Sequence, residues 1–338
     1  MNKTMKIKPA VIAMCAFGCS SDYESDAILS VKDIVSSDID NLTSAAQGIQ
    51  DNAPTADDDG WNATDDADAV SAMRSEWRDA RVAYERIEGA IAVLFPDLDA
   101  STDERYDGFI GEAADDNLFD GEGVTGVHGI ERILWADSHS DTVLAFESSL
   151  SDYTVAAFPT TLDEADDFKT GLAQRFIDDA TLMGSDFEPL ALDAAAAYEG
   201  VVGSMAEQVE KITLAYTGEA ESRYAGHTLA DMRANLEGGL AIYDAFSEWI
   251  IADGGEDLDT DVRDGFDRVM ATYDAFSGDA LPAVPENWNP DSPSDEDLAT
   301  DYGVIWSMLD TESNPDVDGS LVSSMVEAAS TIGIEVAL

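Results

Sequence analysis

Beyond Cys19 the 338-residue sequence has no cysteine, and its only other one, Cys15, lies just before it. A chain processed near that point can hold neither a disulfide nor a thiolate-ligated metal, even in a compartment where disulfides persist. Basic residues are also few: 17 Lys plus Arg stand against 71 Asp plus Glu, a formal net charge of −54. Such a surface repels phosphate backbones and anionic headgroups, which argues against nucleic acid and acidic lipid as partners. Past the first residues no apolar run reaches the roughly eighteen needed to cross a bilayer. Alternation of apolar and polar residues, the mark of a half-buried strand, is missing too.

What is present is a chain able to build a large core, since hydrophobic residues make up 45% of it. The acids are dispersed, as in Asp57-Asp58-Asp59, Asp115-Asp116, Asp166-Asp167 and Asp178-Asp179. Dispersion favours a halophilic adaptation, in which counter-ions screen dense carboxylates over short distances. The same field would enrich cations around a metal site.

At the start, Lys3, Lys6 and Lys8 precede the apolar stretch from Ala10 to Phe17, and no acid precedes Asp22. A basic segment followed by a short apolar core reads as a secretion signal. Gly18-Cys19 resembles the lipobox of bacterial lipoproteins, with residues 1–19 as signal peptide, Cys19 as the lipid-modified residue and 20–26 as a tether. The expected location is periplasmic or cell-surface, with the membrane touched only through that lipid. An ordinary cleaved signal is the alternative.

From Ala27 onward apolar residues step by three and four, beginning with Ile28, Val31, Ile34, Val35, Ile39, Leu42, Ala46 and Ile49. A long helix is expected from about Asp68 to Phe95, ended by Pro96. Asp97 to Gly123 reads as a long, partly irregular connection, and such connections are often functional. Helical periodicity returns over Leu162 to Met183, Phe187 to Thr217, Leu229 to Ala252 and Leu258 to Ser277. A proline-rich loop spans Leu281 to Asp295, and short helices over Asp297 to Leu309 and Ser320 to Ala337 close the chain. The fold expected is all-α, with about ten helices in two packed bundles. These cover residues 27–155 and 156–338, the boundary falling in the region of Ser151 to Thr161.

Two stretches could carry chemistry. In Gly126-Val127-His128-Gly129-Ile130-Glu131, one of only three histidines stands three residues before a glutamate. On a helix these share a face and can converge on one ligand. Gly121, Gly123 and Gly126 keep that helix from starting earlier. In the helix before it, Trp77, Arg81, Tyr84 and Glu88 also share a face. Charges there imply either a buried Arg81–Glu88 or Arg81–Glu85 ion pair, or metal ligation by Glu88. His139 and His227 sit among polar residues and read as exposed.

Taken in order, Trp77-x3-Arg81-x2-Tyr84-Glu85-Arg86-Ile87-Glu88, Phe95-Pro96-Asp97-Leu98-Asp99 and the His128–Glu131 stretch resemble the imelysin-like family. That family includes the EfeO and EfeM iron-uptake proteins, and its hallmark is Gly-x-His-x-x-Glu. Ser222-Arg223-Tyr224, followed by Thr228 to Gly238, resembles the family's characteristic second-half block. The likeness runs from Trp77 to Phe246, roughly half the chain. It implies two four-helix-bundle-like halves and a cation site in which His128 and Glu131 are the hallmark pair and Glu88 the first-helix glutamate. A further acidic ligand is implied, with Asp137 the first candidate and Asp141 and Glu147 its rivals. Arg223, Asp231, Arg233, Asn235 and Glu237 are candidates in the second-half block, although a helix contact near Gly238-Gly239 would explain part of it. An imidazole with two or three carboxylates suits iron, zinc or manganese.

The function expected is therefore capture of iron, or a similar cation, by a lipid-anchored extracytoplasmic protein that serves a permease or another uptake partner. An imelysin-type metallopeptidase is the alternative. It lacks support, because Gly129 stands where a His-Glu-x-x-His enzyme has its general base, and no serine triad motif occurs. A third reading is a structural or polysaccharide-binding surface lipoprotein without a specific metal.

Overall fold

The computed structural model describes residues 20–54, 60–62 and 64–336. Among the described residues all regular structure is helical: α1 (Ser20–Asn52), α2 (Ala67–Leu94), α3 (Pro96–Asp103), α4 (Tyr106–Glu112), α5 (Gly126–Leu134), α6 (Asp141–Glu147) and α7 (Leu162–Asp167). A π turn (Phe168–Leu172) leads into α8 (Ala173–Phe187), α9 (Ala194–Ala215), α10 (Thr228–Ala252) and α11 (Glu256–Asp274). The chain closes with α12 (Asp295–Leu298), α13 (Asp301–Glu312) and α14 (Leu321–Thr331). No helix among them is long and apolar enough to cross a membrane. The expected signal peptide, with Cys15 and Cys19, lies outside the described residues. Residues 20–26, expected as a tether, are instead the opening turns of α1. There Tyr23 and Ala27 extend the buried stripe of Val31, Val35, Ile39 and Leu42 by further four-residue steps.

The long helices α1, α2, α9 and α10 pack against one another, with α8 against α1 and with α11, α13 and α14 on the far side of α9 and α10. Two of the four precede the Ser151–Thr161 region and two follow it. One apolar cluster runs from Ala27 through Tyr84, Tyr198 and Tyr243 to Ile334. Periodicity marks which face of each helix is buried, but not which helix covers it.

Local chemistry sets the breaks. Pro96 disfavours helical geometry at Phe95, whose φ of −138° ends α2, and Pro96 then serves as the first residue of α3. The stretch expected to be partly irregular therefore carries two short helices. Asp193 accepts a hydrogen bond from the Ala196 amide and caps α9, so Phe187 closes α8 rather than opening α9.

Two glycines set the approach of helices around the centre. Gly126 has a φ of +72°, and a Cβ there would strike the Thr102 carbonyl at the end of α3. This seats the start of α5 directly on α3 and brings His128 beside Asp103. In α10, a Cβ on Gly238 would collide with the Arg86 carbonyl of α2. Gly238→Ala is expected to destabilise the protein by about 2–3 kcal/mol through overpacking, read by urea unfolding. An unchanged midpoint would mean that α2 and α10 can separate freely.

Candidate metal centre

Six parts of the chain supply the centre. Helix α2 provides Arg81, Glu85 and Glu88, α3 provides Asp99 and Asp103, and α5 provides His128 and Glu131. Lys211 comes from α9, Glu221 from the turn before α10, and Asp231 and Asn235 from α10. All are buried except Asp99 and Asp103, which are half-buried.

His128 and Glu131 meet each other rather than a common third group. His128 Nδ1 lies 2.8 Å from Glu131 Oε2. The second carboxylate oxygen, Oε1, accepts the Tyr224 and Ala225 amides at 2.9 and 2.8 Å. With Oε1 taken by two amide donors, Oε2 is left as the acceptor for His128 Nδ1, and Nε2 faces the other way. There Nε2 lies 3.0 Å from Glu221 Oε1 and 3.4 Å from Asp103 Oδ1. One donor atom from each of Asp103, His128 and Glu221 falls within 4.8 Å of the others.

Two permanent cations stand among these acids. Arg81 bonds Asp103 and Glu85 and lies 3.4 Å from Glu221 and 3.5 Å from Asp231. Lys211 Nζ donates to both Glu88 oxygens at 2.9 Å and lies 3.3 Å from Glu85. Of the ion pairs considered from the sequence, Arg81–Glu85 forms, while Glu88 pairs with Lys211. Asn235 Nδ2 donates to Glu88 at 2.9 Å. Its carbonyl oxygen accepts from Gln208, which in turn accepts the Tyr273 hydroxyl. This chain of bonds ties the Glu88 carboxylate to the bundle core.

The environment shifts the titrations apart. Burial and Arg81 both disfavour a charged His128, but the hydrogen bonds it donates to Asp103, Glu131 and Glu221 outweigh them and hold it well above the usual 6.5. Burial would raise Glu221, yet Lys211, His128 and Arg81 keep it well below the carboxylate range. Burial pushes Asp99 up to about 7, with Asp103 and Glu88 adding to the rise.

Above the centre is a cavity of about 190 Å³, lined among others by Glu88, Asp99, Asp103, Glu207, Glu210 and Glu221. Burial, with Glu88 adding to it, pushes Glu207 up to about 8. Arg105 is the one basic residue in the lining, and its Nη1 donates to Glu221 Oε2 at 3.2 Å.

Other residues singled out from the sequence lie elsewhere or act differently. Asp137 is exposed and pairs with Arg74 at 2.5 Å. Asp141 is exposed at the start of α6, and Glu147 is buried against Arg132 at 3.0 Å and the Tyr224 hydroxyl. Arg223 pairs with Asp107. Arg233 donates to the Tyr273, Phe276 and Gly278 carbonyls at 2.8 Å, closing the end of α11. Glu237 meets Arg86 at 3.3 Å on the surface. His227, expected to be exposed, is buried with Nδ1 3.0 Å from Asp231 and its ring edge-on to Trp77. His139 is half-buried and stacked on Tyr224.

Asp103, Glu221 and Lys211 were not singled out from the sequence. Glu221 immediately precedes Ser222-Arg223-Tyr224, and Asp103 follows Asp99 by one helical turn. Lys211 is the only basic residue in α9 and falls in register with buried Val201, Ser204 and Gln208.

The arrangement defines an all-α bundle built around a buried imidazole–carboxylate centre. The chain belongs to the imelysin family: the family model described as imelysin (Peptidase_M75) matches residues 33–301. It is similar to the iron uptake system component EfeO of Yersinia pseudotuberculosis, 30% identical over 181 residues, covering 52% of this chain and 38% of that protein. It is also similar to the iron uptake system component EfeM of Pseudomonas syringae, 28% identical over 206 residues, covering 61% and 57% respectively. An imelysin-like protein from Psychrobacter arcticum has the same fold, with a TM-score of 0.58, 11% identity and coverage of 94% of this chain and 98% of that one. The matched region thus spans about two-fifths of the EfeO relative and somewhat over half of the EfeM relative.

The geometry predicts that His128 stays protonated through neutral pH. A raised folded pKa stabilises the fold fully below about 6.5, and that contribution is lost as pH climbs through the folded value. Imidazole NMR titration should show this, with Glu131→Gln lowering the His128 pKa. A midpoint near 6.5 in the unmodified chain would contradict the assigned hydrogen bonds.

Proposed function

We propose that this chain captures iron for uptake, with His128 Nε2, Asp103 and Glu221 as its protein ligands. The observation that carries this reading is the convergence of those three donors within 4.8 Å beside an acidic cavity. One imidazole nitrogen with two carboxylates is a mixed N/O set of the kind iron accepts, and water can complete the shell. The printed names of the EfeO and EfeM relatives support iron as the cargo and an uptake partner as its recipient. Glu131 serves as the group that orients His128 rather than as a ligand, because both its oxygens are already hydrogen-bonded. Export and lipid attachment at Cys19 would place the site where cations are gathered, and the halophilic reading of the surface accompanies that location.

Capture is favoured over proteolysis on two grounds. Glu131, the nearest analogue of a catalytic base, has no free oxygen with which to activate water. A cavity of about 190 Å³ fits an ion with its waters better than a polypeptide.

Calorimetric titration of the full chain with ferrous iron under anaerobic conditions tests the assignment. His128→Ala and Glu221→Gln are each expected to weaken binding by roughly a hundredfold or more, and Glu131→Gln by about 10–100-fold through loss of orientation. Unchanged affinity in His128→Ala would sink the ligand assignment. The metal must also displace the proton at Nε2, so affinity should rise with pH by roughly tenfold per unit for each proton released. Protonation of Asp99 below about 7 acts in the same direction. Binding that strengthens on acidification would contradict the proposed centre.

A further inference from the structure

Glu147, a candidate ligand in the sequence, has no part in the ligand set, yet it is a fully buried acid on α6. Both its oxygens are engaged. Arg132 Nε donates to each at 3.2 Å, Arg132 Nη2 donates to Oε2 at 3.0 Å, and the Tyr224 hydroxyl donates to Oε1. Arg132 is held in turn: Nη2 also donates to the Thr154 carbonyl at 2.5 Å, and the guanidinium carbon lies 3.7 Å from the centroid of the Tyr106 ring. Buried ion pairs add little net stability, because desolvation offsets their attraction. What this one supplies is direction, since a forked guanidinium fixes the plane of the carboxylate that meets the tyrosine.

Tyr224 is thereby pinned at both ends. Its amide donates to Glu131 Oε1 at 2.9 Å, its hydroxyl donates to Glu147, and its ring stacks on His139 with centroids 4.6 Å apart. Glu131 and Arg132 are consecutive on α5, so neighbouring side chains of one helix control the two ends of one tyrosine. Three residues before Tyr224 stands Glu221, which lies in a turn and not on a helix. Four basic groups draw on its carboxylate: His128 at 3.0 Å, Arg105 at 3.2 Å, Arg81 at 3.4 Å and Lys211 at 3.8 Å. The place of Glu221 therefore depends on how firmly the backbone of its turn is held against that pull.

We propose that Glu147 is a positioning residue for the metal centre: held by Arg132, it fixes the Tyr224 hydroxyl and so sets the place of Glu221, without touching the ion. The proposal rests on the capture reading, which makes Glu221 a ligand. A ligand carried on a turn gains its precision from such supports, and removing one costs affinity without removing a donor atom.

Calorimetric titration of the full chain with ferrous iron under anaerobic conditions tests this. Tyr224→Phe deletes only the hydroxyl and leaves the Arg132–Glu147 pair whole. It should weaken iron binding by about tenfold, the lower end of what loss of a supporting hydrogen bond costs. Glu147→Gln should weaken binding at least as much. It also strips Arg132 of its counter-charge, so where that variant does not fold, Tyr224→Phe decides alone. The double variant Tyr224→Phe with Glu221→Gln separates positioning from general loosening of the bundle. If Tyr224 acts through Glu221, the double variant binds iron as Glu221→Gln alone does. A further tenfold loss in the double variant means that the hydroxyl acts elsewhere, and overturns the proposal. Unchanged affinity in Tyr224→Phe, with Glu221→Gln weakened, also overturns it and leaves the capture reading standing. If Glu221→Gln binds iron as the unmodified chain does, or the unmodified chain binds none, both fall.

Discussion

Burying a carboxylate inside a helical bundle costs several kcal/mol unless a cation lies against it. Here Glu85, Glu88, Asp103, Glu131, Glu221 and Asp231 gather with two permanent cations, Arg81 and Lys211, among them. Arg81 serves four of these acids and Lys211 three, so each ammonium or guanidinium is shared. The remaining deficit falls on His128, which three acids drive toward the protonated form. The close approach at Gly126 and the break at Phe95 matter chiefly because they bring acids and bases from separate segments into this one balance.

The net charge of −54 belongs mostly to the outside, and the two sets of acids act over different ranges. At about 0.1 M salt the screening length is roughly 10 Å, and it shortens to about 3 Å near 1 M. In a salty medium the dispersed surface acids therefore contribute little attraction at a distance. On the proposed capture function, cation selection would fall to the acids lining the cavity, which are close together and only partly screened. The dispersed surface acids and the buried acids around His128 are thus compatible but largely independent features. One concerns hydration of the fold, the other the local geometry around His128.

Much of the architecture was legible because helix periodicity and Pro96 are local signals. Val31, Val35, Ile39 and Leu42 are buried as their spacing requires, and α2 ends one residue before its expected limit. Partnership between helices was not legible, since nothing in the α2 pattern says that α9 and α10 will cover it. The centre divides in the same way. His128, Glu131 and Glu88 were found because they sit on helices with recognisable spacing. Asp103 and Glu221 sit at a short helix's end and in a turn, where no period marks them, and they reach the centre only through tertiary packing. Asp137 was attractive because it follows the His128 helix closely, yet its exposed end of that segment leads to Arg74. His227 misled in the opposite sense: its neighbours in sequence are polar, but Asp231 one turn later gives it a buried partner.

The spacing of His128 and Glu131 acquires a different meaning from the hydrogen bonds around it. Two side chains three apart on a helix can converge on a ligand or on each other, and sequence alone does not choose. Here the Tyr224 and Ala225 amides fix one Glu131 oxygen and leave the other for His128 Nδ1. That assignment presents Nε2 to Asp103 and Glu221, where, on the proposed function, a proton and a metal ion would compete for the same lone pair. The turn before α10 therefore does two things at once: its amides hold the orienting glutamate, and its Glu221 supplies an acid that the oriented imidazole faces. Coupling these roles in a single turn makes the centre depend on the seating of that turn between α5 and α10, and not on the helical motif alone.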